Sequence, residues 1–113
     1  MSVVPLLRCN SLNDTRDFYR ALPGFSAEAT AEGTLTVAGL GARLVFTAQD
    51  LWQSPPVFSG TFYFTVDDID SLFAQLGSSV TVSWPPQDMG YGSREFGIRD
   101  CNGYTLAFQQ ARG

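Results

Sequence analysis

The spacing of apolar residues changes several times along the chain, and each change predicts an element. Val3 to Cys9 is apolar and β-compatible. In "SLNDTRDFYRAL" the spacing turns helical, with Leu12, Thr15, Phe18, Tyr19 and Leu22 on one face. Ser11 followed by Asp14 predicts a capped start, and Pro23-Gly24 predicts the stop. Three strand-like segments follow: Phe25 to Thr30, Thr34 to Ala38 and Ala42 to Ala48. Glu32-Gly33 and Gly39 to Gly41 supply their turns. Gln49 to Ser59 has no period, and Pro55-Pro56 at its centre marks it as a linker or lid.

The pattern then restarts. "TFYFTV" reads as a strand and "DDIDSLFAQL" as a helix, with Asp68 as N-cap, Asp70 in the first turn and Gly77 as the stop. "VTVSW" reads as a strand and "PPQDMG" as a loop. Ser93 to Arg99 and Tyr104 to Gln110 read as a closing hairpin. The halves also match in residues: "GARLVFTAQ" from Gly41 parallels "GYTLAFQQA" from Gly103, with Leu44 against Leu106 and Phe46 against Phe108. An internal repeat follows, in one domain over residues 1–113, with modules at about 2–48 and 60–111 and a linker at 49–59.

Alternation assigns faces to the strands. Leu44, Phe46, Leu106 and Phe108, with Phe62, Phe64 and Val66, form apolar rows that should pack under the helices. The opposite rows are mixed: Val4, Leu6, Arg8; Arg43, Val45, Thr47; Thr61, Tyr63, Thr65; Thr105, Ala107, Gln109. Such a face suits a ligand cavity; the alternative is a solvated sheet face. A tight four-residue turn at Asp100 to Gly103 would put Phe96 and Ile98 on the face of Ala107 and Thr105.

Composition narrows the function. The 113 residues are 44% hydrophobic and 13% aromatic, enough for a real core. Charged residues are 16% and the net charge is −4, without a basic cluster, which disfavours nucleic acid and anionic membrane partners. The N-terminus resembles no signal peptide, and no apolar run reaches membrane-spanning length, so a cytoplasmic location is expected. Cys9 and Cys101 make no disulfide framework. There is no histidine, which excludes Ser-His-Asp and Cys-His nucleophile arrangements.

Two motifs carry a family resemblance. "VVPLLRCNSLNDTRDFYRALPGF" resembles the opening strand, helix and "FY…LGF" ending of the glyoxalase/bleomycin-resistance/extradiol-dioxygenase superfamily, the vicinal oxygen chelate fold. "PPQDMGYGSREFGIRDCNGYTLAF" resembles its closing hairpin, with Cys101 in place of proline and Tyr104 in place of asparagine. The resemblance implies an α+β fold of two tandem βαβββ modules. Their curled mixed sheets would surround a cavity, with the helices on the outer face. It also implies a small ligand and a homodimer. In metal-dependent members the ligands stand on the first and closing strands of each module. The matching positions here are Val4, Val45, Thr61 and Ala107. Three have no donor atom, and threonine offers only a neutral hydroxyl, so neither metal nor other cofactor is expected.

The expected ligand-binding residues are Arg8, Arg43, Trp52, Phe58, Tyr63, Trp84, Tyr91, Arg94, Phe96 and Gln109. Rings on loops suit stacking against a planar ligand, and arginines suit carboxylate or phosphate. Core packing for Trp84 and Phe96, a dimer interface for Trp52, and surface ion pairs for the arginines are the competing roles. No catalytic residue is assigned. The expected function is metal-free sequestration of a planar or amphipathic molecule, similar to the bleomycin-resistance branch. A metal-independent lyase or isomerase is the alternative, with Tyr63 and Glu95 as the credible bases. A dimerisation module with a vestigial cavity is a third possibility.

Overall fold

The computed structural model describes residues 3–31 and 33–111; Glu32, expected in a turn, lies outside them. The chain forms two compact units, Met1–Phe58 and Ser59–Gly113. The first contains β1 (Leu6–Arg8), α1 (Leu12–Arg20), β2 (Phe25–Ala29), β3 (Thr34–Gly39) and β4 (Ala42–Thr47). The second repeats the order with β5 (Thr61–Val66), α2 (Ile69–Leu76), β6 (Thr81–Asp88), β7 (Arg94–Arg99) and β8 (Thr105–Gln110). Strand order is β1-β4-β3-β2 in one sheet and β5-β8-β7-β6 in the other. In each sheet the opening and closing strands pair in parallel and the remaining pairs are antiparallel, giving the α+β fold of two tandem βαβββ modules. No helix among the described residues is long and apolar enough to cross a membrane.

Local chemistry starts both helices the same way. Ser11 Oγ accepts from Asp14 N at 3.1 Å, and Asp68 Oδ1 accepts from Ser71 N at 3.1 Å. Each bond satisfies one amide that the helix itself leaves unpaired. Under α1, the Tyr19 ring meets Phe46 at a centroid distance of 5.4 Å, and Cys9, Val37 and Phe46 are fully buried. Under α2, the Phe73 ring meets Phe96 at 5.1 Å, and Phe96 stacks on Phe108, which stacks on Phe64. Phe46, Phe64 and Phe108 belong to the apolar rows of the sequence, and burial of such rings is a large favourable contribution to each unit.

Two elements differ from the sequence expectation. "PPQDMG" does not form a loop from its start, since β6 runs through Pro85 and Pro86 to Asp88. The strand lies at the sheet edge, and its register with β7 shifts between Val82 and Trp84 and again between Trp84 and Gln87. Prolines are tolerated there because an edge strand has amides with no ladder partner, and bulges release others.

The closing hairpin has the second difference. Arg99 pairs with Thr105, so five residues, 100 to 104, turn the chain instead of four. The side chain of Asp100 closes this loop. Its Oδ1 accepts from Asn102 N at 2.9 Å and from Tyr104 N at 2.8 Å, while its own amide donates to Tyr104 O at 2.9 Å. Gly103 takes the left-handed conformation that the turn requires, at φ 90°. One extra residue reverses the facing of a strand. Phe96 therefore pairs with Phe108 on the helix side, not with Ala107, and Glu95 stands beside Gln109 on the opposite face.

Asp100→Ala should destabilise the protein by about 1–3 kcal/mol, the cost of leaving buried backbone donors unmet. Asp100→Asn, which keeps an acceptor at Oδ1, should lose less. Urea unfolding checks both, with an unchanged slope showing that the effect is on stability.

Candidate functional site

Each sheet has a face that its own helix leaves uncovered, and the mixed rows occupy it. In the first unit, Leu6 pairs with Val45, Val45 with Thr36, Ala38 with Arg43 and Ser26 with Ala38, all on that face. The short side chains of Ser26, Thr36, Ala38 and Val45 leave a concavity of about 500 Å³, whose lining also includes Val4, Glu28, Thr30 and Arg43. The size lies within the range of small-molecule sites.

The arginines of this unit divide into two kinds. Arg8 is engaged: Nη1 donates to Ser54 O at 2.6 Å and pairs with Asp50 Oδ1 at 2.9 Å. It ties the segment after β4 to the sheet, which is the ion-pair role weighed against ligand binding. Arg43 is exposed, and no carboxylate pairs with it among the described residues. A guanidinium without a carboxylate at a concavity is available to a ligand anion.

In the second unit the uncovered face holds a polar cluster. Glu95 is fully buried. Its Oε1 accepts from Tyr91 Oη at 2.8 Å and from Tyr63 Oη at 3.3 Å. Glu95 and Tyr63, each without a recognisable partner in the sequence, are thus partners of one another. The hydrogen bond to Glu95 is the first cause that holds the Tyr91 phenol above its ordinary pKa of 10.0. Gln109 Nε2 donates to Thr65 Oγ1 at 3.2 Å on the same face.

Trp84 completes this cluster through a glycine. Glu95 and Gly97 are two residues apart on β7 and so face the same way. A Cβ on Gly97 would come within 2.5 Å of two carbons of the Trp84 six-membered ring. The indole therefore lies over Gly97, beside Glu95, in space that any larger residue would take. The register of β6 against β7, which spacing does not encode, is what brings Trp84 and Glu95 onto one face of the sheet.

Two expected site residues serve other ends. Phe96 is fully buried between Phe73 and Phe108, so it is core, as the five-residue turn dictates. Arg94 gives Asp70 two hydrogen bonds, at 2.9 and 3.0 Å, and Asp88 a third at 3.2 Å. It clamps the start of α2 to β6 and β7, and its hydrogen bond is the first cause that keeps the Asp70 carboxyl below its usual value. Tyr91 is exposed, and Trp52, Phe58 and Tyr63 are each about half exposed.

The four positions where metal-dependent relatives place ligands hold Val4 and Val45 in the first unit and Thr61 and Ala107 in the second. Two valines, an alanine and one neutral hydroxyl do not fit a divalent ion. Among the described residues no group of three or more His, Cys, Asp or Glu could hold one elsewhere.

Comparison with known proteins agrees with this architecture. The bleomycin resistance determinant encoded on the transposon Tn5 superposes with a TM-score of 0.79 at 20% identity, covering 100% of this chain and 99% of that one. A bleomycin-binding protein complexed with bleomycin gives 0.74 at 20% identity, with 99% of each chain covered. A superfamily member from Sphaerobacter thermophilus gives 0.80 at 19% identity, with 98% of each covered. No curated protein sequence matches. Residues 3–108 match the model of one family, and the chain belongs to it: the Glyoxalase/Bleomycin resistance protein/Dioxygenase superfamily.

Proposed function

We propose that the protein binds and sequesters a small planar or amphipathic molecule without the help of a metal. The observation that carries this reading is the concavity of about 500 Å³ with Arg43 at its wall. Within the same unit, the exposed rings of Trp52 and Phe58 offer surfaces for stacking. The solved relatives that confer bleomycin resistance or bind bleomycin support a role in binding over one in turnover. Sequestration needs no reacting group, consistent with a donor set that does not fit a Lewis acid at the family's metal positions. The same reading takes the protein to be a cytoplasmic homodimer without nucleic-acid or membrane partners.

A second reading, a metal-independent lyase or isomerase, is favoured by the Tyr63–Glu95–Tyr91 cluster. Tyr91 stays a phenol at neutral pH and can only donate a proton. The acceptor in the cluster is then the Glu95 carboxylate.

A thermal-shift screen of aromatic carboxylates and glycopeptide antibiotics separates the two readings. Sequestration predicts saturable stabilisation, about 2.7 kcal/mol at a hundredfold excess over Kd, with the compound recovered unchanged and no dependence on added divalent ions. Arg43→Gln should weaken binding of the carboxylates. Conversion of the compound would favour the second reading, and absence of stabilisation by any compound would contradict both.

The raised Tyr91 phenol gives a pH prediction. Its stabilising contribution is complete below pH 10, where the unfolded phenol is also protonated, and declines as pH rises beyond it. One tyrosine should ionise later than the others in a phenolate absorbance titration. Tyr91→Phe should remove that late step and flatten the fall of stability above pH 10.

A further inference from the structure

Most buried polar side-chain atoms in a folded protein have a hydrogen-bond partner, so the exceptions point to something that the chain itself does not supply. In the second unit two such atoms stand on one face. Glu95 Oε2 and Trp84 Nε1 are both buried and have no partner among the described residues. Glu95 as a whole is fully buried, and both tyrosine hydroxyls go to its other oxygen. Trp84, on β6, lies over Gly97, which is two residues from Glu95 on β7 and faces the same way, so the indole is on the same face as Glu95.

The two atoms are chemically complementary. A carboxylate oxygen accepts and an indole N–H only donates. A single ligand group that satisfies both must carry a donor next to an acceptor. It must also be flat, since the indole forms one wall. An isolated ammonium would leave the indole unmet, and an isolated carboxylate would meet Glu95 with like charge.

We propose that Glu95 Oε2 and the Trp84 indole N–H form a recognition subsite for the N–H/C=O edge of a planar lactam or carboxamide. This rests on the sequestration reading in taking the ligand to be small and planar, and it concerns the second unit alone. Tyr91 is the gate of the subsite. Tyr91 is 61% exposed, it is flanked by Gly90 and Gly92, and its hydroxyl is hydrogen-bonded to Glu95 and to the Tyr63 hydroxyl. Release of Tyr91 would remove one of the two donors on Glu95 Oε1 and uncover the carboxylate from the loop side.

The test uses 2-pyridone, which carries the required edge, and N-methyl-2-pyridone, which has the same ring without the donor. The two tryptophans give two indole N–H signals in a proton–nitrogen NMR spectrum, and Trp84→Phe assigns the one from Trp84. The proposal expects 2-pyridone to shift the Trp84 signal saturably and leave that of Trp52 in place. N-methylation, Glu95→Gln and Trp84→Phe should each weaken binding roughly tenfold or more, the discrimination expected when a buried partner is left unpaired. Tyr91→Phe, which removes the hydroxyl that holds the gate on Glu95, should tighten binding of 2-pyridone severalfold, and unchanged or weaker binding counts against the gate; it reports on the subsite even where the Glu95 variant fails to fold.

A Trp84 signal unmoved up to the solubility limit of 2-pyridone overturns the subsite, as does equal binding of the N-methyl compound. Either result leaves the sequestration reading intact if the broader screen still finds a stabilising ligand. Failure of that screen removes the sequestration reading separately.

Discussion

The carboxylate of Asp100 fixes more of this molecule than any other polar group. By taking two backbone amides on one oxygen, it commits the last hairpin to a five-residue turn. That commitment sets the register of β7 against β8 and so decides which side of every following residue faces the helix. With four residues in the turn, Glu95 would point under α2 and Phe96 would point away from it. A fully buried carboxylate would then stand in an aromatic core without a donor, at a cost of several kcal/mol. The stacked rings of Phe64, Phe108, Phe96 and Phe73 and the polar cluster of Glu95 are two results of a single turn.

Charge is used sparingly and mostly for attachment. Arg8 holds the segment after β4, Arg20 reaches Glu28 and the carbonyl of Ala27, and Arg94 joins α2 to β6 and β7. Exposed ion pairs of this kind contribute little stability individually, but they fix the relative position of elements within a unit. Arg43 is different, since it lines a concavity and no carboxylate pairs with it among the described residues. Attachment consumes the cations that the sequence offered as candidate ligand contacts and leaves one in position to meet an anion.

The fold was legible because repetition and periodicity agree with each other. The helical faces of both modules, the N-caps at Ser11 and Asp68, and the two rows of each closing strand all follow from spacing alone. The site was legible only in part. Parity placed Arg43, Val45, Tyr63, Ala107 and Gln109 on the uncovered faces, because their strands are regular. It misplaced Phe96 because turn length depends on hydrogen bonds of a side chain, which spacing does not encode. Pro85-Pro86 read as loop because proline breaks a central strand, and an edge strand is the exception. The pairing of Tyr63 with Glu95 spans 32 residues and needs both the register and the sheet order to be known.

The register of β7 and β8 puts Glu95, not Phe96, on the face that α2 leaves uncovered. Interstrand nuclear Overhauser contacts measure that register directly. The account predicts Phe96 opposite Phe108 and Glu95 opposite Gln109. Phe96 opposite Ala107, with Glu95 opposite Phe108, would contradict it.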